Sequence, residues 1–194
     1  LRQLNVSVRQ RGLRKTLYWA AFGYLKPNRF CIVAKTLPDD DKMSLAPGAT
    51  YEVWDAARVA MWRRGRRDMP PELFQDSIDG VRACSVALVD GEIAAFIWIF
   101  RRGDVSRLFD LHDGEAEVNY GAVLGPYQRH GLFRGVLRCA SAWLAERGHH
   151  TVYASVHATN TRSLRAFAAC GFTPVGTVAH FAFYRPKYRV TDAA

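Results

Sequence analysis

At 194 residues, with 49% hydrophobic and 23% charged residues, the chain has the size and composition of one folded domain with a substantial core. The longest uncharged run, residues 166–184, is broken by Gly171, Pro174 and Gly176 and does not read as a membrane span, and the first residues lack a secretory pattern, so a cytoplasmic protein, at most peripheral to a membrane, is expected; Leu1 in place of Met is compatible with a piece of a longer chain. The formal charge of +9 is concentrated at one end: residues 1–38 hold eight Lys or Arg and no acid, leaving 19 basic against 18 acidic residues for the rest.

Residues 1–26 are expected to be helical, and Lys26-Pro27-Asn28 ends the run. Leu13, Leu17, Tyr18, Trp19, Phe22, Tyr24 and Leu25 give this basic segment, residues 1–28, an apolar and aromatic face. Three roles fit it: docking to an acidic partner, binding at an anionic membrane surface, or packing on the following domain with its arginines in water. Nucleic acid is a weaker partner, since no helix-turn-helix, zinc or RNA-binding signature accompanies the charge.

The domain proper is placed at 29–188. Residues 29–37 (RFCIVAKTL) read as a strand and 38–49 as a loop. From Thr50 the spacing of Val53, Trp54, Ala57, Met61 and Trp62 predicts a helix, closed by the basic run Arg63–Arg67 as a solvated end. A short helix follows over 71–78. Residues 81–89 and 92–100 are nearly continuous apolar runs around Asp90-Gly91, a two-residue hairpin turn between strands covered on both faces, with Phe96 and Trp98 in the core. Residues 101–113 form a polar loop, and 117–124 a strand.

Leu132, Val136, Leu137, Ala140 and Leu144 then share one helical face up to about Arg147, with Gly148 as C-cap. A strand at 151–156, a helix capped by Thr159 or Asn160 and ended by Gly171, and strands at 175–178 and 180–184 complete the order. Cys31, Cys84, Cys139 and Cys170 lack metal-type spacing and read as reduced thiols, not nucleophiles; no metal is expected.

The turn between the 117–124 strand and the long helix holds Gly125, Gly131 and Gly135 beside Arg129 and Arg134. A glycine turn feeding a helix presents unpaired N–H groups and the positive end of the helix dipole, which suits a phosphate. The run Leu124-Gly-Pro-Tyr-Gln-Arg-His-Gly-Leu-Phe-Arg-Gly135 resembles the acyl-CoA motif of the GNAT superfamily of N-acetyltransferases, Val-x-Pro-x-x-(Gln/Arg)-x-x-Gly-x-(Gly/Ala). Gln128 and Gly131 are in register, Leu124 and Pro126 match with one residue fewer between Pro126 and Gln128 than the motif has, and Phe133 stands where the motif has a small residue. Asn160-Thr-Arg-Ser-Leu-Arg-Ala-Phe-Ala-Ala-Cys-Gly-Phe172 resembles the superfamily's Asn-x-x-Ala-x-x-x-Tyr-x-x-x-Gly-Phe helix.

The resemblance implies a single-domain α/β fold with one mixed sheet whose central strands splay apart, plus the basic N-terminal helical segment. It implies acyl transfer from acetyl-CoA or another acyl-CoA to a small amine by direct attack in a ternary complex. Alternatives are a long-chain N-acyltransferase fed by acyl carrier protein and a non-catalytic acyl-CoA-binding module. On this mapping Val123, Leu124 and Gly125 contact pantetheine. Gln128, Arg129, His130, Gly131, Leu132, Phe133, Arg134 and Gly135 hold the pyrophosphate, while Asn160, Ser163 and Phe167 face the coenzyme.

Phe167 replaces the tyrosine that commonly protonates the departing thiolate. Candidates for the catalytic base are Glu117, Tyr120 and His157, and alternation puts Glu117 on the face opposite Tyr120 and Leu124. His112, Asp113 and Glu115 are candidates to line the acceptor site, whereas His149 and His150 read as exposed.

Overall fold

The computed structural model describes residues 28–38, 45–106, 108–180 and 188. The helix expected over 1–26, the Asp39-Asp40-Asp41 cluster and the strand expected beyond His180 lie outside the described residues. Within them, strand β1 (Asn28–Thr36) is followed by β2 (Thr50–Asp55) and helix α1 (Ala56–Arg63). A 3-10 turn (Pro71–Phe74), α2 (Gln75–Ile78), β3 (Ala83–Val89) and β4 (Glu92–Arg101) come next. Then come β5 (Glu115–Val123), α3 (Leu132–Ala145), β6 (Thr151–His157), α4 (Thr161–Ala168) and β7 (Thr173–His180).

The strands make one sheet in the order β2–β3–β4–β5–β6–β1–β7. All neighbours are antiparallel except β5 and β6, which are parallel and joined through α3. The hairpin between β3 and β4 turns at Asp90 (φ 52°) and Gly91 (φ 78°), the two positive φ values that a twisted two-residue connection requires. The N-terminal strand β1 inserts between β6 and β7, a pairing between distant parts of the chain.

Helix α3 covers one face of the sheet. Leu132, Val136, Leu137, Ala140 and Leu144 are fully buried there against Ala95, Ile97, Ile99, Val118, Val152 and Ala154. Each leucine so buried contributes roughly 1.5–3 kcal/mol of transfer free energy. On the opposite face, Trp54, Val59, Leu73, Phe96, Trp98 and Phe100 form a second core under α1 and the 3-10 turn. Leu108 and Phe109, from the loop expected to be merely polar, close a third core with Ile32, Tyr153 and Val178. Lys35 of β1 is buried and donates from Nζ to the Cys170 carbonyl (2.7 Å) just past the end of α4, where a cation suits the helix dipole.

Two expectations are corrected here. Thr50–Asp55 is a strand, not the start of a helix. Its Thr, Tyr, Val and Trp content suits the pleat, and Asp55 is the N-cap of α1, its Oδ1 accepting from Arg58 N at 2.7 Å. The apparent helical face thus joined residues of two elements, and Met61 is exposed. Within the basic run, Arg63 is not solvated: it makes a bidentate pair with Asp76 (2.8 and 2.8 Å) and lies 4.2 Å over the Phe74 ring.

Candidate active site

Strands β5 and β6 pair only through Glu115–Thr151, Ala116–Val152 and Glu117–Tyr153. Beyond that point they part, and the edge of β5 facing β6 has no strand partner. The opening is a cleft of about 200 Å³ lined by Asn119, Tyr120 and Gly121 of β5 and Ser155, Val156 and His157 of β6. Phe133, Asn160, Ser163 and Phe167 close it on the helix side. Of the expected site residues, the fold therefore gathers Tyr120, His157, Phe133, Asn160, Ser163 and Phe167 around one space.

A bulge in β5 shapes this wall. Phe100 faces Glu117 and Trp98 faces Asn119, but Phe96 faces Ala122, so one extra residue is inserted. Tyr120 absorbs it at φ 52°, a left-handed conformation that costs a non-glycine residue roughly 1–2 kcal/mol. The bulge also reverses the alternation. Glu117 and Asn119 lie on the same face as Phe100 and Trp98, and Tyr120, Ala122 and Leu124 pack on that face too. The expectation that Glu117 opposes Tyr120 and Leu124 is corrected: alternation fails across a bulge.

Glu117 is fully buried behind the cleft, not in it. Its Oε2 accepts from Ser106 Oγ (2.6 Å) and its Oε1 from Asn119 Nδ2 (2.8 Å). Asn119 Oδ1 accepts from Tyr120 N, which fixes the amide's orientation, and its Nδ2 also donates to Ser155 Oγ at 2.7 Å. Ser155 Oγ accepts there, which leaves its hydroxyl proton available to another acceptor. Asn119 and Ser155 were not anticipated. No local pattern marks them, since their role depends on two strands separated by a helix.

His157 stands at the cleft edge with its ring edge-on to Phe30 (centroids 5.5 Å). Its Nδ1 accepts from Thr159 N (3.3 Å) and lies 2.8 Å from Thr159 Oγ1. An N–H can only donate, so Nδ1 is the acceptor in that contact and the neutral ring carries its proton on Nε2. Phe167 is buried, edge-on to Phe133 (5.9 Å) and Phe172 (5.0 Å), with no proton to give. Asn160 caps α4, its Oδ1 accepting from Ser163 N at 3.1 Å.

Beside the cleft, Gly131 enters α3 at φ 75° with no side-chain cap, and no backbone carbonyl among the described residues accepts from Leu132 N or Phe133 N. His130, Arg134 and Arg138, one helical turn apart, border a hollow of about 330 Å³ at this helix start. Arg138 extends the expected cradle by one turn. Gln128 and Arg129 are exposed on the approach, Arg129 at φ 73°. Gly135 is different: a Cβ there would collide with the Tyr51 ring, so this glycine makes room for β2. Val123 packs toward α3, Leu124 packs on the opposite core and its N–H donates to the Ala94 carbonyl, and Gly125 is exposed.

His112, Asp113 and Glu115 lie at the other, paired end of β5, away from the cleft. Glu115 is held there by His112 N (2.8 Å) and Tyr153 OH (3.1 Å). His149 is half-buried, not exposed, and burial, with Arg101, His150 and Arg147 nearby, pushes its pKa below the usual value. Burial pushes the Cys84 and Cys139 thiols up, which keeps both protonated.

The family model of the GNAT acetyltransferases matches residues 49–172. The chain belongs to the GNAT acetyltransferase family. Solved GNAT structures share the fold of this chain. One is a GNAT-family acetyltransferase of Novosphingobium aromaticivorans DSM 12444, with TM-score 0.54 and 16% identity over 79% of this chain and 62% of that one. Another is a GNAT N-acetyltransferase of Sphaerobacter thermophilus, with TM-score 0.56 and 15% identity over 88% of this chain and 56% of that one. The chain thus spans roughly three fifths of the length of these two GNAT structures. A third is AAC(6')-Iy in complex with the bisubstrate analog CoA-S-monomethyl-acetylneamine, with TM-score 0.51 and 17% identity over 72% of this chain and 99% of that one. No curated protein matches the GNAT chain in sequence.

Proposed function

We propose that this GNAT protein is an acyl-CoA-dependent N-acyltransferase that moves an acetyl group from the thioester to a small amine by direct attack. The observation that carries the reading is the parting of β5 from β6 beside an uncapped helix start, which sets an unpaired strand edge next to a phosphate-suited turn. The amides of Leu132 and Phe133, with His130, Arg134 and Arg138 around them, suit the coenzyme's phosphates. The inner edge of β5 suits the amide-bearing arm. This brings the thioester to the bulge at Tyr120 and leaves the side of the cleft near Asn119, Ser155 and His157 for the amine.

The amine lone pair attacks the thioester carbon, and collapse of the tetrahedral intermediate breaks the C–S bond with its electron pair going to sulfur. The nitrogen must lose one proton and the sulfur gain one. With phenylalanine at 167, the Ser155 hydroxyl is the group suited to both: it gives its proton to sulfur as it takes one from nitrogen, held by Asn119 throughout. His157 Nε2–H supports the developing oxyanion or the acceptor. Glu117 fixes Asn119 from behind the cleft.

Calorimetric titration with acetyl-CoA tests the reading. The expected result is micromolar binding that falls by at least about 100-fold in Gly131→Glu, which puts a carboxylate at the helix start; the left-handed φ there costs the variant roughly 1–2 kcal/mol, so it unfolds a few degrees lower but stays folded for the titration. Free-thiol release across an amine panel then identifies the acceptor. An unliganded wild type in that titration rejects the coenzyme site. Tight binding with no turnover on any amine points to a binding module instead.

A further inference from the structure

Phe133 occupies a place in the cleft that its position at the start of α3 does not by itself explain. Its side chain does not turn wholly into the core: the ring is half-buried and lies against Gly121 of β5, with Cε2 2.8 Å from where a Cβ of residue 121 would be. Gly121 has no left-handed φ, so the missing side chain there serves space, not backbone conformation. On its other side the ring meets Phe167 of α4 edge-on at 5.9 Å. Phe133 therefore bridges the opening from β5 to α4, between the free amides at the start of α3 and the unpaired inner edge of β5.

We propose that Phe133 is a specificity-determining side chain that closes the donor path. This rests on the acyl-CoA reading above. A ligand that sets its phosphates at the start of α3 and lays its arm along β5 has to pass residue 133, and the arm competes with the Phe133 ring for the space between Gly121 and Phe167. A change of side-chain rotamer at Phe133 opens the path. Donor affinity is then the intrinsic affinity reduced by the fraction of molecules in which the ring stands aside. The aromatic pair with Phe167 holds that fraction low.

The test is calorimetry of wild type, Phe133→Ala and Phe133→Leu with two probes: acetyl-CoA, and adenosine 3′,5′-bisphosphate, which has the nucleotide but no arm. Thermal unfolding confirms that each variant is folded, and Phe133→Leu keeps an apolar side chain should the alanine variant be too unstable to titrate. The expected result is acetyl-CoA binding about tenfold tighter in Phe133→Ala, an intermediate gain in Phe133→Leu, and no change for the bisphosphate. Equal or weaker acetyl-CoA binding in folded variants overturns the proposal. An equal gain for both probes also overturns it, since the ring then acts on the phosphates instead of the arm. If no variant binds either probe, the coenzyme reading fails as well, whereas binding of acetyl-CoA by wild type with no gain in the variants rejects the role of Phe133 alone.

Discussion

The two ends of β5 differ in what they hold, although they belong to one nine-residue strand. At the first end Glu115, Ala116 and Glu117 are paired with β6, and every polar group named there has a partner: Glu115 with His112 and Tyr153, Glu117 with Ser106 and Asn119. At the second end the strand bulges at Tyr120 and loses its β6 partner, and Ser155 and His157 line the cleft that opens there. One end is built as a clamp, and the other is the open edge proposed above to bind the donor. The lesson is that the clamp makes the surface possible, since a strained φ at Tyr120 and an unpaired edge persist only where the adjoining backbone is fixed.

The contrast is broken most directly at Glu117. Glu117→Ala leaves the Ser106 and Asn119 donors without their acceptor in the interior and should cost about 2–4 kcal/mol in urea unfolding. Ser155→Ala, at the open end, should cost about 1 kcal/mol or less while slowing amine acetylation by at least about tenfold, with acetyl-CoA affinity unchanged. A Glu117→Ala loss no larger than that of Ser155→Ala erases the distinction between clamp and surface. Unchanged turnover in Ser155→Ala removes that hydroxyl from the chemistry.

The smallest effect is a pH dependence at the clamped end. The folded pKa of His149 lies below its unfolded value of about 6.5, so below that pH the unfolded chain binds more protons at this site. Its contribution to stability is present above about pH 6.5 and is lost as pH falls. Unfolding curves of wild type and His149→Gln across pH 5–8 should show a weaker acid loss in the variant. Parallel curves reject a half-buried neutral imidazole.

The parts of the site legible in the sequence are those whose geometry is local. Gly131 and the apolar face of Leu132, Val136, Leu137, Ala140 and Leu144 lie within a few turns of each other, so spacing alone placed the helix start and its buried side. Ser155 and Asn119 were illegible because a hydrogen bond across 36 residues leaves no local pattern. Thr50–Asp55 was misread because its residues alternate over only six positions before α1 begins, too short a run to separate the two periods.

By itself the sequence determined the Asp90-Gly91 turn, the helix start at Gly131 and the order of strands and helices around the motif, because each follows from backbone preferences and short-range spacing. Only the tertiary structure decided that β1 lies between β6 and β7, that the bulge at Tyr120 brings Glu117 and Tyr120 to one face, and that Phe133 spans the cleft to Phe167. Those features depend on which distant strands share an edge and on the space left between packed layers. Neither quantity is set by residues adjacent in the chain.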